Sequence, residues 1–371
     1  MLQAPRSKIP FSKCSLDRVY LLSKQLISQR SFSINLRKSN TATDLHIEGE
    51  RRSQPQTFDY SFLKACHWDL NDGQVPARVD GVIQHQTKSL ALKLRTFTSV
   101  QWLLISWDPV SAHVGTSDNI ARGSPAEVFT FGEQIRNHLK GLILVNAEMP
   151  GEWERILKLS FAKRPEQEPE FLLYIELMGK HSNVILCDPK DLIVSVGSQI
   201  GAKKSSERQL QIGSYYTLPP VHPGILPEEF TEFEQWKACI FSNDSKNTFD
   251  RILYKTFRGV SPSIARDLRL RANIQADQPL EDLCDKQMNS IFVNWIKWLE
   301  CLENDKYKCH YLDDSQISII PTASVDEPDD GPLAFFGNYF SSFQTKNESQ
   351  KVRLLSSQYC INFSLFDIIC Y

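Results

Sequence analysis

At 371 residues, with 41% hydrophobic and 23% charged side chains and a formal net charge of −2, the chain has the composition of a globular protein with ample core material. A near-neutral balance excludes a global basic field, so any affinity for nucleic acid must come from a local patch. Apolar runs stay far below the roughly 20 residues of a membrane-spanning helix. The nine cysteines, none in a CxxC pair, read as free thiols and not as a disulfide framework.

Residues 1–53 differ in kind from the rest. Up to Thr43 the one acid, Asp17, stands against Arg6, Lys8, Lys13, Arg18, Lys24, Arg30, Arg37 and Lys38, with serine frequent between them. Basic, serine-rich and acid-poor is the pattern of a transit peptide, and it is also that of a disordered basic arm that binds RNA.

From Phe58 the elements come in order. Asp59 is a candidate N-cap for a helix ending near Asn71-Asp72-Gly73. Ala77–Gln84, Ser89–Arg95 and Trp102–Trp107 alternate with period two, as at Leu90, Leu92 and Leu94, and predict antiparallel strands. Residues 129–142 follow a helical spacing closed by Gly141. Five further strands are predicted at 142–148, 156–161, 172–178, 183–188 and 192–199. From Pro227 the pattern turns to helix alone, at 230–241, 248–254, 262–270, 280–284 and 288–302. Beyond Asn304 the chain is acidic and turn-rich. The fold class expected is α+β, a β-sandwich or half-barrel lobe with two helices followed by an all-helical lobe. The divisions fall at 1–53, 54–226, 227–304 and 305–371, the last a linker and atypical tail.

Two stretches hold candidate binding groups. Tyr174–Asp188 reads as a strand, a polar Gly179-Lys180-His181-Ser182-Asn183 turn and a returning strand. The turn suits either capping of backbone groups or contact with phosphate. Tyr254–Leu268 reads as two helices joined at Gly259, with Pro262 opening the second. Free N–H groups at that helix start, beside Lys255, Arg258 and Arg266, suit a phosphate, while helical hairpins are also common packing units. Cys301, Cys309 and His310 fit no common zinc spacing, and no metal or cofactor is expected.

The run Glu176-Leu177-Met178-Gly179-Lys180-His181-Ser182-Asn183 resembles the signature of the NFACT family, which includes bacterial RqcH, the FbpA-like fibronectin-binding proteins and eukaryotic NEMF. Ala77-Arg78-Val79, Leu104–Pro109 (with Asp108 where histidine is usual), Phe129–Leu139 with Arg136, and Arg208, Gly213, Tyr216, Pro219 and Pro220 are similar to further family segments in the same order. The resemblance covers about 58–300. The tryptophans at 102, 107 and 153 lean toward the cyanobacterial branch, which makes a chloroplast the expected destination, with a mitochondrion as the alternative.

The resemblance implies a glycosylase-like first lobe, a helix-hairpin-helix second lobe, and a role in ribosome-associated quality control without catalysis of its own. In the family an acid–arginine pair is tied to tRNA recruitment. Here Glu154-Arg155 occupies its place, with Asp59 matching the acid of the opening helix. The implied tRNA-binding residues are Asp59, Arg136, Glu154, Arg155, Lys180, His181, Ser182 and Asn183, with Lys255, Arg258, Gly259 and Arg266 for backbone phosphates. The implied partners are tRNA, alanyl-tRNA first, and a large ribosomal subunit carrying a stalled peptidyl-tRNA. The implied outcome is alanine-type tailing of the nascent chain without mRNA. The family's coiled coil and C-terminal domain have no counterpart here, so a C-terminally truncated member is expected. The competing expectation is a DNA glycosylase-like enzyme with a Pro55 amine nucleophile, although Gln56 stands where an acid belongs.

Overall fold

The computed structural model describes residues 54–120, 129–203, 205, 208–221, 223–242, 246–276, 278–312, 316–322 and 331–343. The leader expected at 1–53 and the tail beyond 343 lie outside the described residues.

Helix α1 (Tyr60–Gly73) opens the fold. The Asp59 carboxylate caps it by accepting from the Phe62 N–H at 3.1 Å. Its buried stripe of Phe62, Leu63, Cys66 and Leu70 follows the helical period and faces the core. Nine strands follow: β1 (Ala77–Gln86), β2 (Ser89–Arg95), β3 (Val100–Ser106), β4 (His113–Ser117), β5 (Ile143–Glu148), β6 (Ile156–Ala162), β7 (Phe171–Glu176), β8 (Asn183–Cys187) and β9 (Ile193–Val196). Helix α2 (Thr130–Leu139) joins β4 to β5.

The first lobe, expected as a sandwich or half-barrel, is built on one continuous sheet. All nine strands pair in one antiparallel sheet, in the order β4-β3-β2-β1-β5-β6-β7-β8-β9. The reason is the pairing of Ala77 with Leu144 and Arg78 with Ile143, which hydrogen-bonds two meanders edge to edge. That joint is short, and the halves curl over one another about α2. Trp107, at the end of β3, packs on Phe131 of α2 at 5.5 Å and closely against Gly197 just after β9.

On β6–β8 both faces are buried. Leu157, Leu159, Leu173, Ile175, Val184 and Leu186 enter the main core, while Ile156, Leu172, Tyr174, Ile185 and Cys187 form a second cluster closed by Leu210 and Tyr216. Cys66, Cys187, Cys301 and Cys309 are buried free thiols. Burial raises them, Cys187 and Cys301 to about 12, which makes them inert packing groups.

The helical part comprises α3 (Phe233–Phe241), α4 (Phe249–Thr256), α5 (Pro262–Arg271) and α6 (Asp285–Glu303). Trp236, Trp295 and Trp298 are fully buried there, with Trp295 and Trp298 at 5.1 Å. A two-stranded ribbon, β10 (His310–Tyr311) and β11 (Ile317–Ser318), is fixed by Arg271, which donates to Ser318 Oγ and to the Ile320 carbonyl at 3.1 Å each.

The segment expected to be linker and tail contains a core element. Residues 332–343 form a helix, α7, whose Phe336 meets Phe62 at 4.8 Å and whose Phe340 stacks on His113 at 4.4 Å. Its first turn donates from Leu333 N–H to Asp69 at 2.8 Å. Gly337 lies so close to β4 that a Cβ there would stand 1.9 Å from the Thr116 carbonyl oxygen. Burial against this helix pushes His113 down to about 4, because the imidazolium would be desolvated. No helix among the described residues is long and apolar enough to cross a membrane.

Candidate functional site

The N-terminus of α1 sits where the sheet meets the helical part. Asp59 is fully buried there, with its two oxygens taken by different elements. One accepts from Phe62 N–H, and the other accepts from Ser261 Oγ at 2.6 Å. Ser261 is itself the N-cap of α5, accepting from Ile264 N–H at 3.1 Å. Burial outweighs these hydrogen bonds and the nearby Arg155, and pushes the Asp59 carboxyl up to about 6.

Arg155 enters from the strand side, just before β6. Its backbone carbonyl accepts from Leu177 N–H at 2.9 Å, and its Nη1 donates to the Phe58 carbonyl at 3.4 Å. Among the described residues it forms no closer bond and no ion pair, although Asp59 and Glu154 both contribute attraction. The guanidinium is half-buried, so a five-donor cation sits at this junction with one long hydrogen bond. Desolvation lowers its pKa somewhat and leaves it a cation.

Trp153 shapes the wall. It adopts a left-handed φ of 58° and packs on Tyr60 at 4.5 Å and Trp298 at 5.6 Å. Its ring lies against Gly259, where an added Cβ would come within 2.6 Å, and Gly259 has φ 72°. Glycine is therefore required there twice over, for its conformation and for contact. Three segments far apart in sequence, at 59, 153–155 and 259–261, thus form one cluster.

The other expected residues fall into groups. The polar turn leads from β7 to β8 and follows Leu177, the residue bonded to Arg155, so it extends from the same sheet end. A single 3₁₀ turn, Gly179–His181, holds Lys180 and His181 exposed at its tip. Ser182 and Asn183 are buried and turned inward. Ser182 Oγ accepts from Met178 N–H at 2.8 Å. Asn183 donates to the Ser198 carbonyl and accepts from Val184 and Ser198 N–H, tying the turn to the chain after β9. Asp59 is likewise buried, and its charge acts on Arg155.

Arg136 is not in the cluster. It reaches across β1 to the Val82 carbonyl at 3.2 Å and pairs with Glu133, a surface bridge of little stabilising value. Lys255 and Arg266 are exposed on α4 and α5, and Arg258 is half-buried in the turn between those helices. The free N–H groups expected at the start of α5 are mostly engaged. Pro262 has none, Ile264 is capped by Ser261 Oγ, and Ala265 donates to the Ser261 carbonyl, which leaves Ser263.

Sequence reasoning missed two features. Ser261 was not singled out, though Ser-Pro is a legible start signal for a helix. The motif residues Glu176, Arg208 and Tyr216 turn out to be one buried network. Arg208 grips Glu176 with both terminal nitrogens, at 3.0 and 2.5 Å, and Tyr216 donates to the same carboxylate at 2.9 Å. Tyr216 stacks on Tyr174 at 3.9 Å and lies beneath the Arg208 guanidinium. Asp108, where the family usually has histidine, accepts from Val110 and Ser111 N–H and shapes the loop after β3.

The Rqc2 homolog RqcH of Bacillus subtilis is 28% identical over 221 residues, covering 59% of this chain and 38% of that protein. The RqcH of Streptococcus pneumoniae serotype 2 is 29% identical over 215 residues, covering 53% and 39%. The chain thus spans about two fifths of the length of these relatives. Among solved structures, the N-terminal part of the fibronectin/fibrinogen-binding protein from Streptococcus suis superposes with a TM-score of 0.57 at 21% identity, over 78% of this chain and 99% of that one. The fibrinogen-binding protein of Staphylococcus aureus gives 0.55 at 19%, over 74% and 96%. These two likenesses speak of fold, a mixed architecture with a large antiparallel sheet. The family described as NFACT N-terminal and middle domains matches residues 59–359, well past the expected limit near 300 and through α7. The chain belongs to the NFACT family.

Proposed function

We propose that this chain is the tRNA-contacting part of a ribosome quality-control factor, with Arg155 as its central RNA contact. The supporting observation is the half-buried guanidinium at the junction, which holds one hydrogen bond of 3.4 Å and leaves its remaining donors without a described partner. A fork of that kind suits a phosphate or a base edge. Glu154 lies beside it to orient the fork or accept from a base amine, and Lys180 and His181 extend the contact from the neighbouring turn. Lys255, Arg258 and Arg266 supply phosphate contacts from the α4–α5 pair, which we read as a helix-hairpin-helix unit.

In this reading the tRNA is alanyl-tRNA and the larger partner is a large ribosomal subunit with a stalled peptidyl-tRNA. The nascent chain is extended by alanine-type tailing without mRNA. The protein positions tRNA, needs no cofactor, and leaves bond formation to the ribosome. The relatives named RqcH support the quality-control assignment. The basic leader supports delivery to a chloroplast, which an import assay with a fluorescent fusion of residues 1–60 would test.

The glycosylase-like alternative is not favoured. Pro55 is buried, and Gln56 is bonded to Tyr339 and to Ile317, so the segment that would carry the nucleophile is held within the core. The deciding experiment is crosslinking of the expressed chain in organelles followed by sequencing of the attached RNA. Enrichment of tRNA, reduced about tenfold or more by Arg155→Ala on the loss of a charge-assisted contact, is the expected result. Equal capture by wild type and Arg155→Ala refutes the assignment of this residue, and background RNA alone refutes the tRNA reading.

A further inference from the structure

The hairpin joining β2 to β3 ends in a tip that is firmly built and carries a fully exposed ring. Thr96 Oγ1 accepts from Thr98 N–H at 3.2 Å and from Ser99 N–H at 3.0 Å, and Thr96 N–H donates to the Ser99 carbonyl at 3.0 Å. Phe97, within that turn, is 104% exposed. A single exposed apolar side chain is ordinary. What singles this one out is the sheet face behind it.

Side chains of β2 alternate. Leu90, Leu92 and Leu94 point into the core, and Lys93 and Arg95 point away from it. The register places Arg95 between Arg78 on β1 and Val100 on β3, and places Lys93 opposite Trp102. Trp102 lies across β2 toward Gly81, within 3.8 Å of where a Cβ would stand, and the Lys93 ammonium is 5.7 Å from its ring. The face thus carries Arg78, Lys93 and Arg95 around a flat indole.

One acid, Asp80, offsets them by pairing with Arg95. Arg78 is exposed and has no partner among the described residues, although it stands directly opposite another arginine. Like charges at such a position oppose sheet pairing, so their juxtaposition suits a ligand that brings negative charge. Cations beside aromatic rings on an open sheet face fit RNA, whose phosphates and unstacked bases need both.

We propose that the outer face of β1–β3, with the Phe97 tip, is a second RNA contact that stacks an unpaired base on Phe97 and holds phosphates with Arg78, Lys93 and Arg95. It rests on the reading of the chain as an RNA-binding module and shares no residue with the Arg155 cluster.

The test uses fluorescence anisotropy with the full chain and three labelled probes: a tRNA transcript of alanine identity, a large-subunit ribosomal RNA fragment and an oligouridylate. Phe97→Ala, at a side chain with no packing role, is expected to leave the melting temperature unchanged and to weaken oligouridylate binding about tenfold. Arg78→Ala is expected to reduce the slope of log affinity against log salt by about 0.7. A matching loss with the tRNA transcript makes tRNA the source of the bound segment, and a loss confined to the ribosomal fragment makes it ribosomal RNA. Unchanged binding in both variants, with Arg155→Ala still weakening tRNA, overturns this surface and leaves the first contact standing. Absence of RNA binding by wild type overturns both. Phe97-dependent binding to anionic phospholipid vesicles, with RNA affinity unaltered, overturns the proposal in favour of a membrane surface.

Discussion

Asp59 offers a test of the junction that does not depend on any ligand. Its carboxyl is fully buried and rises from 3.8 to about 6, a change dominated by desolvation. An upward shift of about 2 units corresponds to about 3 kcal/mol at 1.36 kcal/mol per unit. The sign follows from proton counting. Between pH 3.8 and 6 the folded chain keeps the proton while the unfolded chain has lost it, so stability falls as pH rises through that window and is level above it. His113, lowered to about 4 from 6.5, does the reverse over nearly the same range. The wild-type curve therefore hides both effects. Asp59→Asn isolates one of them, because its amide oxygen still accepts from Phe62 N–H and its amide nitrogen can donate to Ser261. Urea unfolding followed by tryptophan fluorescence, run from pH 4 to pH 8 on both proteins, gives the difference in stability with all other titrations cancelled. The Asn variant is expected to gain about 2.4 kcal/mol relative to wild type between pH 4 and pH 7, the part of the shift that lies above pH 4. A difference that stays constant to within about 0.5 kcal/mol would refute a buried carboxyl ionising at this junction.

Two further substitutions probe the frame around the site. Glu176→Gln removes the charge that Arg208 grips from both sides in a buried setting, and is expected to lower unfolding free energy by about 3–5 kcal/mol; an unchanged urea midpoint would show that the pair carries no such weight. Gly337→Ala drives a methyl group into the Thr116 carbonyl, a backbone atom with no rotamer to change. A loss of about 3 kcal/mol with partial release of α7, read by thermal melting and hydrogen exchange, is expected, and a variant melting with wild type would mean that α7 is not seated on β4.

Strand β2 was legible because over residues 92–95 one of its faces alone is buried. Leu90, Leu92 and Leu94 announce β2 because Lys93 and Arg95 alternate with them, and the helical spacing of α6 is equally plain. His113–Ser117 gives no such signal. It is short, carries a glycine and two hydroxyl residues, and is buried along most of its length once α7 covers it. Helix α7 was legible too: Phe335, Phe336, Tyr339, Phe340 and Phe343 recur at helical spacing and are buried, with Asn338 and Ser342 exposed on the other side. The junction is a different kind of omission. Asp59, Arg155 and Ser261 come from three distant segments, and no spacing within one sequence links them. Resemblance supplied the first two, and the third needed the fold.

The junction also explains how an arginine can be half-buried and still be available. A direct ion pair with Asp59 would use the guanidinium fork and, in a site of this burial, would scarcely recover the desolvation of both ions. The carboxylate instead accepts from Phe62 N–H and Ser261 Oγ, one on each oxygen, so its hydrogen-bonding capacity is largely met by groups that also start α1 and α5. What reaches Arg155 is the field of the ionised carboxylate at neutral pH, which offsets the cost of holding a cation in a partly dry place. The fork keeps its donors, and its backbone is fixed by the β6–β7 ladder through Leu177. A cation prepared in this way needs little reorganisation to take a phosphate or a base edge. In the role proposed for Arg155, RNA binding depends on Asp59 remaining charged. RNA capture by wild type is therefore expected to weaken as pH falls below about 6, and Asp59→Asn to be weak at every pH, with Arg155→Lys rescuing neither because it lacks the planar fork.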